Sequence, residues 1–143
     1  MNTSKEAVPK ALRYARVFAL IEVTRFAGLV LFAGIRSGAL APSAALFGVG
    51  DALVALLAIP VWFLLGKPGP RRYGLAVAWV TFGLVDLIYA VLDGALTGQV
   101  GALNTLLGPG IALIPFNIVV QSLTLALLLT ASASAYMSKM RAA

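Results

Sequence analysis

Four apolar runs, each about as long as a bilayer is thick, take up most of this 143-residue chain. A hydrocarbon core of about 30 Å needs about 20 apolar residues per helix, at about 1.5 Å of rise per residue. Runs over residues 14–35, 43–65, 74–96 and 111–135 meet that requirement. They are apolar nearly all round, which the surface helix of a soluble protein is not. The expected fold is therefore all-α: one polytopic membrane domain over residues 1–143, built as a four-helix bundle. Charged residues make up only 11% of the chain, against about 25% in soluble domains, which agrees with this class.

The breaks between runs carry turn residues. Ser37, Gly38 and Pro42 separate the first two, and Gly66-Lys-Pro-Gly-Pro70 forms a stiff turn before Arg71 and Arg72. The longest connection, Thr97 to Gly110, contains Val100, Leu103, Leu106 and Leu107 and ends in Gly-Pro-Gly. Two readings fit it, a short amphipathic turn along the interface and a partly ordered loop. Pro60 and Pro115 fall inside the second and fourth runs, where each frees a carbonyl one turn earlier. Pro115 either kinks its helix and aims Asn117 and Gln121 inward, or is tolerated near a helix end.

The net charge of +6 is distributed as membrane topology would distribute it. Lys5, Lys10, Arg13 and Arg16 open the first run, Lys67, Arg71 and Arg72 follow the second, and Lys139 and Arg141 follow the fourth. Nine of eleven basic residues thus lie on one side, which the positive-inside rule makes cytoplasmic, with both termini inside. The charges sit in short clusters between apolar runs, so nucleic acid is not the expected partner. Tyr14, Phe18, Trp62, Phe63, Tyr73, Trp79 and Tyr136 are expected at the same interface as an aromatic belt. Ala39-Leu40-Ala41 has the look of a signal-peptide cleavage site. Glu22 and Arg25 interrupt the run before it, which is also too long for a signal, so the first run is expected to be a retained span.

Four of the five carboxylates, Glu22, Asp51, Asp86 and Asp93, fall inside these runs. An ionised group in lipid costs ~3 kcal/mol on insertion scales, so such residues face a bundle interior and often mark a site. Counting from the middle of each run places Arg25, Asp51, Asp86 and Gln121 near one depth, with Glu22 and Asn117 about one turn away. Glu22 and Arg25 share a helix face at a spacing of three, and Asn117 and Gln121 share one at four. Glu22, Arg25, Asp51, Asp86, Asn117 and Gln121 are the candidate binding residues. Arg36 and Asp93 are expected to pair at the outer end.

One arginine does not balance three acids. Either protons remain on the acids, or a bound cation or ligand supplies charge, or some acids face water or a partner subunit. The plainer alternative is that these side chains are interhelical glue, worth about 1 kcal/mol or less each. Excess acid is an awkward glue. A weak internal repeat, Gly48-x-x-Asp51 and Gly83-x-x-Asp86, is embedded in residues too common here to count further. It permits an inverted pairing of the two helices, or glycines that simply let helices approach. Gly34-x-x-x-Gly38, Gly74-x-x-x-Ala78 and Ala90-x-x-x-Gly94 suit tight packing within the bundle or between protomers.

Three stretches, Gly48-Val-Gly-Asp51-Ala-Leu-Val-Ala-Leu, Trp79-Val-Thr-Phe-Gly83-Leu-Val-Asp86-Leu and Leu113-Ile-Pro115-Phe, resemble a pattern recurring in uncharacterised small bacterial inner-membrane proteins. The resemblance covers the second to fourth runs and implies fold and membrane location only. Beyond helix count, the signatures of four-helix multidrug exporters and fluoride channels do not match.

Cysteine and histidine are both absent, which removes thiol nucleophiles, disulfides, the common zinc sites and haem ligation by imidazole or thiolate. No metal or other cofactor is expected, and an enzyme is the least supported class, although a carboxylate pair could do acid–base work on a lipid-soluble substrate. Two functions remain. One is a small transporter or binding protein for a proton, cation or small solute, acting as a homo-oligomer because four short helices enclose little space. The other is an accessory subunit of a larger membrane complex, its charges pairing at interfaces with a membrane-protein partner.

Overall fold

A computed structural model describes residues 7–139, all helical between turns and with no strand among the described residues. Lys5, Glu6 and Arg141 lie outside them. Helix α1 runs over Lys10–Arg36, α2 over Ala44–Leu64 and α3 over Pro70–Leu96. Then come the short α4 (Val100–Leu107), a 3₁₀ turn (Gly108–Ala112), α5 (Leu113–Leu128) and the short α6 (Ala131–Met137). Four helical stretches are long and apolar enough to cross a membrane, the fourth running from α4 through α5.

The long helices close a ring, α1 against α2, α2 against α3, α3 against α5, and α5 back against α1. Apolar layers fill its two ends. At the basic end Leu12, Val54, Trp79, Val80, Leu128 and Met137 form one core. At the far end Leu31, Phe47, Leu87 and Ala90 form the other, with Leu103 and Leu106 of α4 packed against it. The exterior stays apolar, with Leu56, Phe63, Val85, Ile88 and Val119 exposed. Exposed apolar surface on this scale is what lipid would cover.

The basic termini of the elements gather at one end. The Gly69 N–H donates to the Met137 carbonyl (2.9 Å), which ties the α2–α3 turn to α6. Arg16 of α1 stacks 4.0 Å from the Trp62 ring centroid and donates from Nε to the Trp62 carbonyl (3.1 Å). Two of the seven aromatics expected in a belt are core residues instead. Trp79 is 5% exposed and donates to the Val54 carbonyl at 3.1 Å, and Tyr136 is 7% exposed. Tyr14 and Phe63 are exposed, as a belt requires.

The fourth span differs from the run over 111–135. It is broken at Thr130, whose extended backbone ends α5 and whose hydroxyl caps α6 by accepting the Ala133 N–H. Pro115 lies in the first turn of α5, where its missing N–H has no helical partner to lose. The connection over 97–110 is also ordered: α4 occupies most of it between Gly98 (φ 69°) and Gly108 (φ 52°).

Candidate functional site

The centre of α1 tightens from α-helix to 3₁₀ geometry over Glu22–Leu29. In an α-helix each step of three residues turns about 60° away from a straight row, whereas 3₁₀ geometry with three residues per turn keeps the row aligned. Glu22, Arg25 and Gly28 therefore stack in one line, all buried, facing the bundle. Runs of 3₁₀ helix longer than three or four residues are uncommon and often mark strained or functional segments.

Arg25 is the hub, at 2% exposure. Its Nε donates to Asp51 Oδ1 of α2 and its Nη2 to Asp86 Oδ2 of α3. Its Nη1 donates to the Gly83 carbonyl (3.2 Å). The planar fork of arginine suits this sharing between two carboxylates on different helices. Glu22 Oε2 stands 3.7 Å from Nη1, an ion pair without a hydrogen bond. Among the described residues these are the three ion pairs, all on one guanidinium.

Glycines make room for each charged group. A Cβ at Gly28 of α1 would strike the Asp51 carboxylate, and one at Gly50 of α2 would strike the Asp86 carboxylate. One at Gly83 of α3 would meet Gln121 Nε2 and Arg25 Nη1. Each helix of this trio thus offers a bare backbone to the side chain of another. The two halves of the sequence repeat are equivalent in their acids, which both bind Arg25, but not in their glycines: Gly48 packs against the Phe32 ring.

Helix α5 faces this hub with Asn117, Gln121 and Thr124, all buried and spaced along one face. Thr124 is satisfied by the Val120 carbonyl of its own helix (2.7 Å). The amides are not. Asn117 Oδ1, both polar atoms of the Gln121 amide and both Glu22 oxygens are buried without a hydrogen-bond partner. Buried polar groups are nearly always paired, and each one left unpaired costs about 1–3 kcal/mol. The hydrogen bonds of the polar layer therefore lie on its Arg25–Asp51–Asp86 side, and its Glu22–Gln121–Asn117 side is unsatisfied.

The six sequence candidates converge in this layer. Arg36 and Asp93 do not join into the expected pair. Asp93 Oδ2 accepts the Ser43 hydroxyl (3.1 Å), and Gln99 Oε1 accepts the Ala41 N–H (2.8 Å). The start of α2 and the loop before it occupy the place beside α3, and Arg36 is exposed. Sequence reasoning missed Gly28, Gly50 and Thr124. Gly28 continues the Glu22–Arg25 spacing by another three, and Gly50 adjoins Asp51, so both signals stand in the sequence.

A cavity of about 30 Å³ opens beside the hub, lined by Arg25, Asp51, Asn117 and exposed Thr24 and otherwise mostly by apolar side chains including Leu31, Phe47, Leu107 and Ile114. A second, outward-facing groove of about 370 Å³ between α2 and α3 is walled by Leu53, Phe82 and Val85, with Asp86 at its edge. Among the described residues no group of three histidine, cysteine, aspartate or glutamate side chains could hold a metal ion. The acids converge on a guanidinium.

Fold and site thus describe a small helical protein with the makeup of a multi-pass membrane protein and one buried charge cluster. The chain belongs to the family DUF8737, described as a domain of unknown function, whose model matches residues 5–132 and so includes every residue of the cluster. No curated protein and no solved structure matches the chain.

Proposed function

We propose that this chain is an inner-membrane protein with both termini cytoplasmic that binds a proton or small cation at the Arg25 cluster and moves it as a homo-oligomer. One observation carries the reading. Glu22 is wholly buried, its two oxygens form no well-aligned hydrogen bond although the Gln121 amide and Arg25 stand beside it, and that arginine already serves two other acids. A carboxyl in that state lowers stability, and helix packing alone does not call for it. Charge balance in this layer needs two positive charges in addition to Arg25, supplied by protons, by cations or by both. The basic residues gathered at one end support the orientation.

Reconstitution in liposomes tests it, with proton and cation flux compared for the wild type, Glu22→Gln, Asp51→Asn and Asp86→Asn. Flux lost in Glu22→Gln, with folding retained, is the expected result. Equal flux in all four proteins, or none in any, overturns the reading.

A second reading has its own observation. The groove between α2 and α3 is apolar, faces outward and ends at Asp86, which suits a partner helix carrying a donor side chain. An accessory subunit would bring a stoichiometric partner through purification in mild detergent. A stable homo-oligomer alone counts against it.

A further inference from the structure

The cavity beside Asp51 has walls that say what it accepts. Asn117 Oδ1 is buried and unpaired, and Asn117 lines the cavity. Asp51 gives one oxygen to Arg25, while the other lies against Gly28, itself part of the cavity wall, and accepts no hydrogen bond among the described residues. The unpaired acceptors among the lining residues are thus two, on opposite helices, with the hydroxyl of exposed Thr24 at the rim. Arg25 offers little here, because its fork is directed at Asp51, Asp86 and the Gly83 carbonyl.

Size narrows the occupant further. A volume of about 30 Å³ suits one or two water-sized molecules, since about 10–15 Å³ in this measure holds a single water. A bare hard cation takes six or more oxygens, and far fewer face this space. A small species that itself donates hydrogen bonds fits two acceptors directly. The surrounding layer holds one guanidinium against three carboxyls, so a positive occupant is favoured over a neutral one.

We infer that this cavity is a binding site for a water-sized cationic hydrogen-bond donor, hydronium or ammonium, held between Asp51 and Asn117. The inference rests on the proposed cation-binding role of the cluster and names the substrate class. The far side of the site is covered by Leu107 at the end of α4 and by Gly110. Both belong to the segment around Gly108, and exposed Thr24 and Ala27 of α1 line the rim.

The test uses full-length protein in liposomes on a solid-supported membrane, with currents recorded after an ammonium chloride jump at constant pH, a pH jump in sodium chloride, and a sodium jump alone. The first two arms separate ammonium from hydronium. Ile114→Phe fills the cavity without touching a charge, and Asn117→Leu removes one acceptor. Each is expected to cut the current by about tenfold or more, the worth of one hydrogen bond to a charged group. In parallel, the melting temperature in detergent is compared in ammonium chloride and sodium chloride, because a ligand of the folded state raises it. A rise lost in Asn117→Leu supports the site even where no current flows, and in that case the transport reading alone fails. Currents that persist unchanged in both variants overturn the site and leave the transport reading standing. Equal currents with sodium, or neither current nor thermal shift responding to the variants, also overturn it.

Discussion

Arg25 is bonded to two acids from two different helices and stands within 3.7 Å of a third. Removing it leaves three buried carboxyls with no cation, whereas neutralising one acid leaves the hub partly paired. Arg25→Leu should therefore destabilise the protein by about 3–5 kcal/mol, more than Asp51→Asn or Asp86→Asn, as read from thermal unfolding in detergent. Arg25→Lys should not restore stability, because an ammonium cannot reach two carboxylates and a carbonyl with a planar fork. Glu22→Gln should leave the melting temperature unchanged or raised, since it removes a buried acid that forms no well-aligned hydrogen bond; a large fall would mean that the Glu22 charge is structural. The glycines give a second contrast. Gly28→Ala and Gly50→Ala should each cost about 1–3 kcal/mol by forcing a Cβ into a carboxylate. Gly74→Ala, with nothing within 4 Å, should be neutral or stabilising.

Among the elements, α1 and α4 shape the polar layer and the end of the bundle beyond it. The 3₁₀ centre of α1 places Glu22, Arg25 and Gly28 in register, and the α-helical ends return the chain to ordinary packing. Helix α4 is held over the far end mainly by side-chain packing: Leu106 fits over Gly34 and Leu103 over Gly94. Its exit at Gly108 has φ 52° and ψ −130°, a region open almost only to glycine. Gly108→Ala should cost about 1–3 kcal/mol and loosen α4, seen as faster hydrogen exchange over residues 100–112. Thr130→Ala should cost about 1 kcal/mol through loss of the α6 cap, with exchange rising in that helix and not in α4.

For the molecule as a whole, the charge asymmetry predicts which end faces which side. The chain lacks cysteine, so single introduced thiols report cleanly. Ala39→Cys, in the exposed α1–α2 connection, should react with a membrane-impermeant maleimide in intact cells, and exposed Lys67→Cys should react only after permeabilisation. The reverse pattern would invert the orientation. At this scale, the ring of four long helices with apolar layers above and below a polar one explains why a single charge cluster is tolerated. The low-dielectric ends exclude water and hold the helices, and the glycines let the charged side chains meet.

Element type and polar depth were legible in the sequence because both follow from one-dimensional rules. Helix length is set by bilayer thickness, face by the helical period, and depth by rise per residue. Those rules brought Glu22, Arg25, Asp51, Asp86, Asn117 and Gln121 to one layer. Partner choice follows no such rule. Arg36 and Asp93 have matching charge and end position, yet Ser43 takes the aspartate, because where α2 begins decides which group stands beside it. Trp79 and Tyr136 read as belt residues until the rotation of their helices turned them inward. By itself the sequence determined four long apolar helices, an excess of buried acid over base and the clustering of basic residues. Only the tertiary structure decided that one guanidinium serves Asp51 and Asp86 while the Glu22 oxygens, the Gln121 amide and Asn117 Oδ1 are left without well-aligned hydrogen bonds. Hydrogen-bond pairing depends on ångström-scale approach between helices far apart in the chain, and that approach is set by packing.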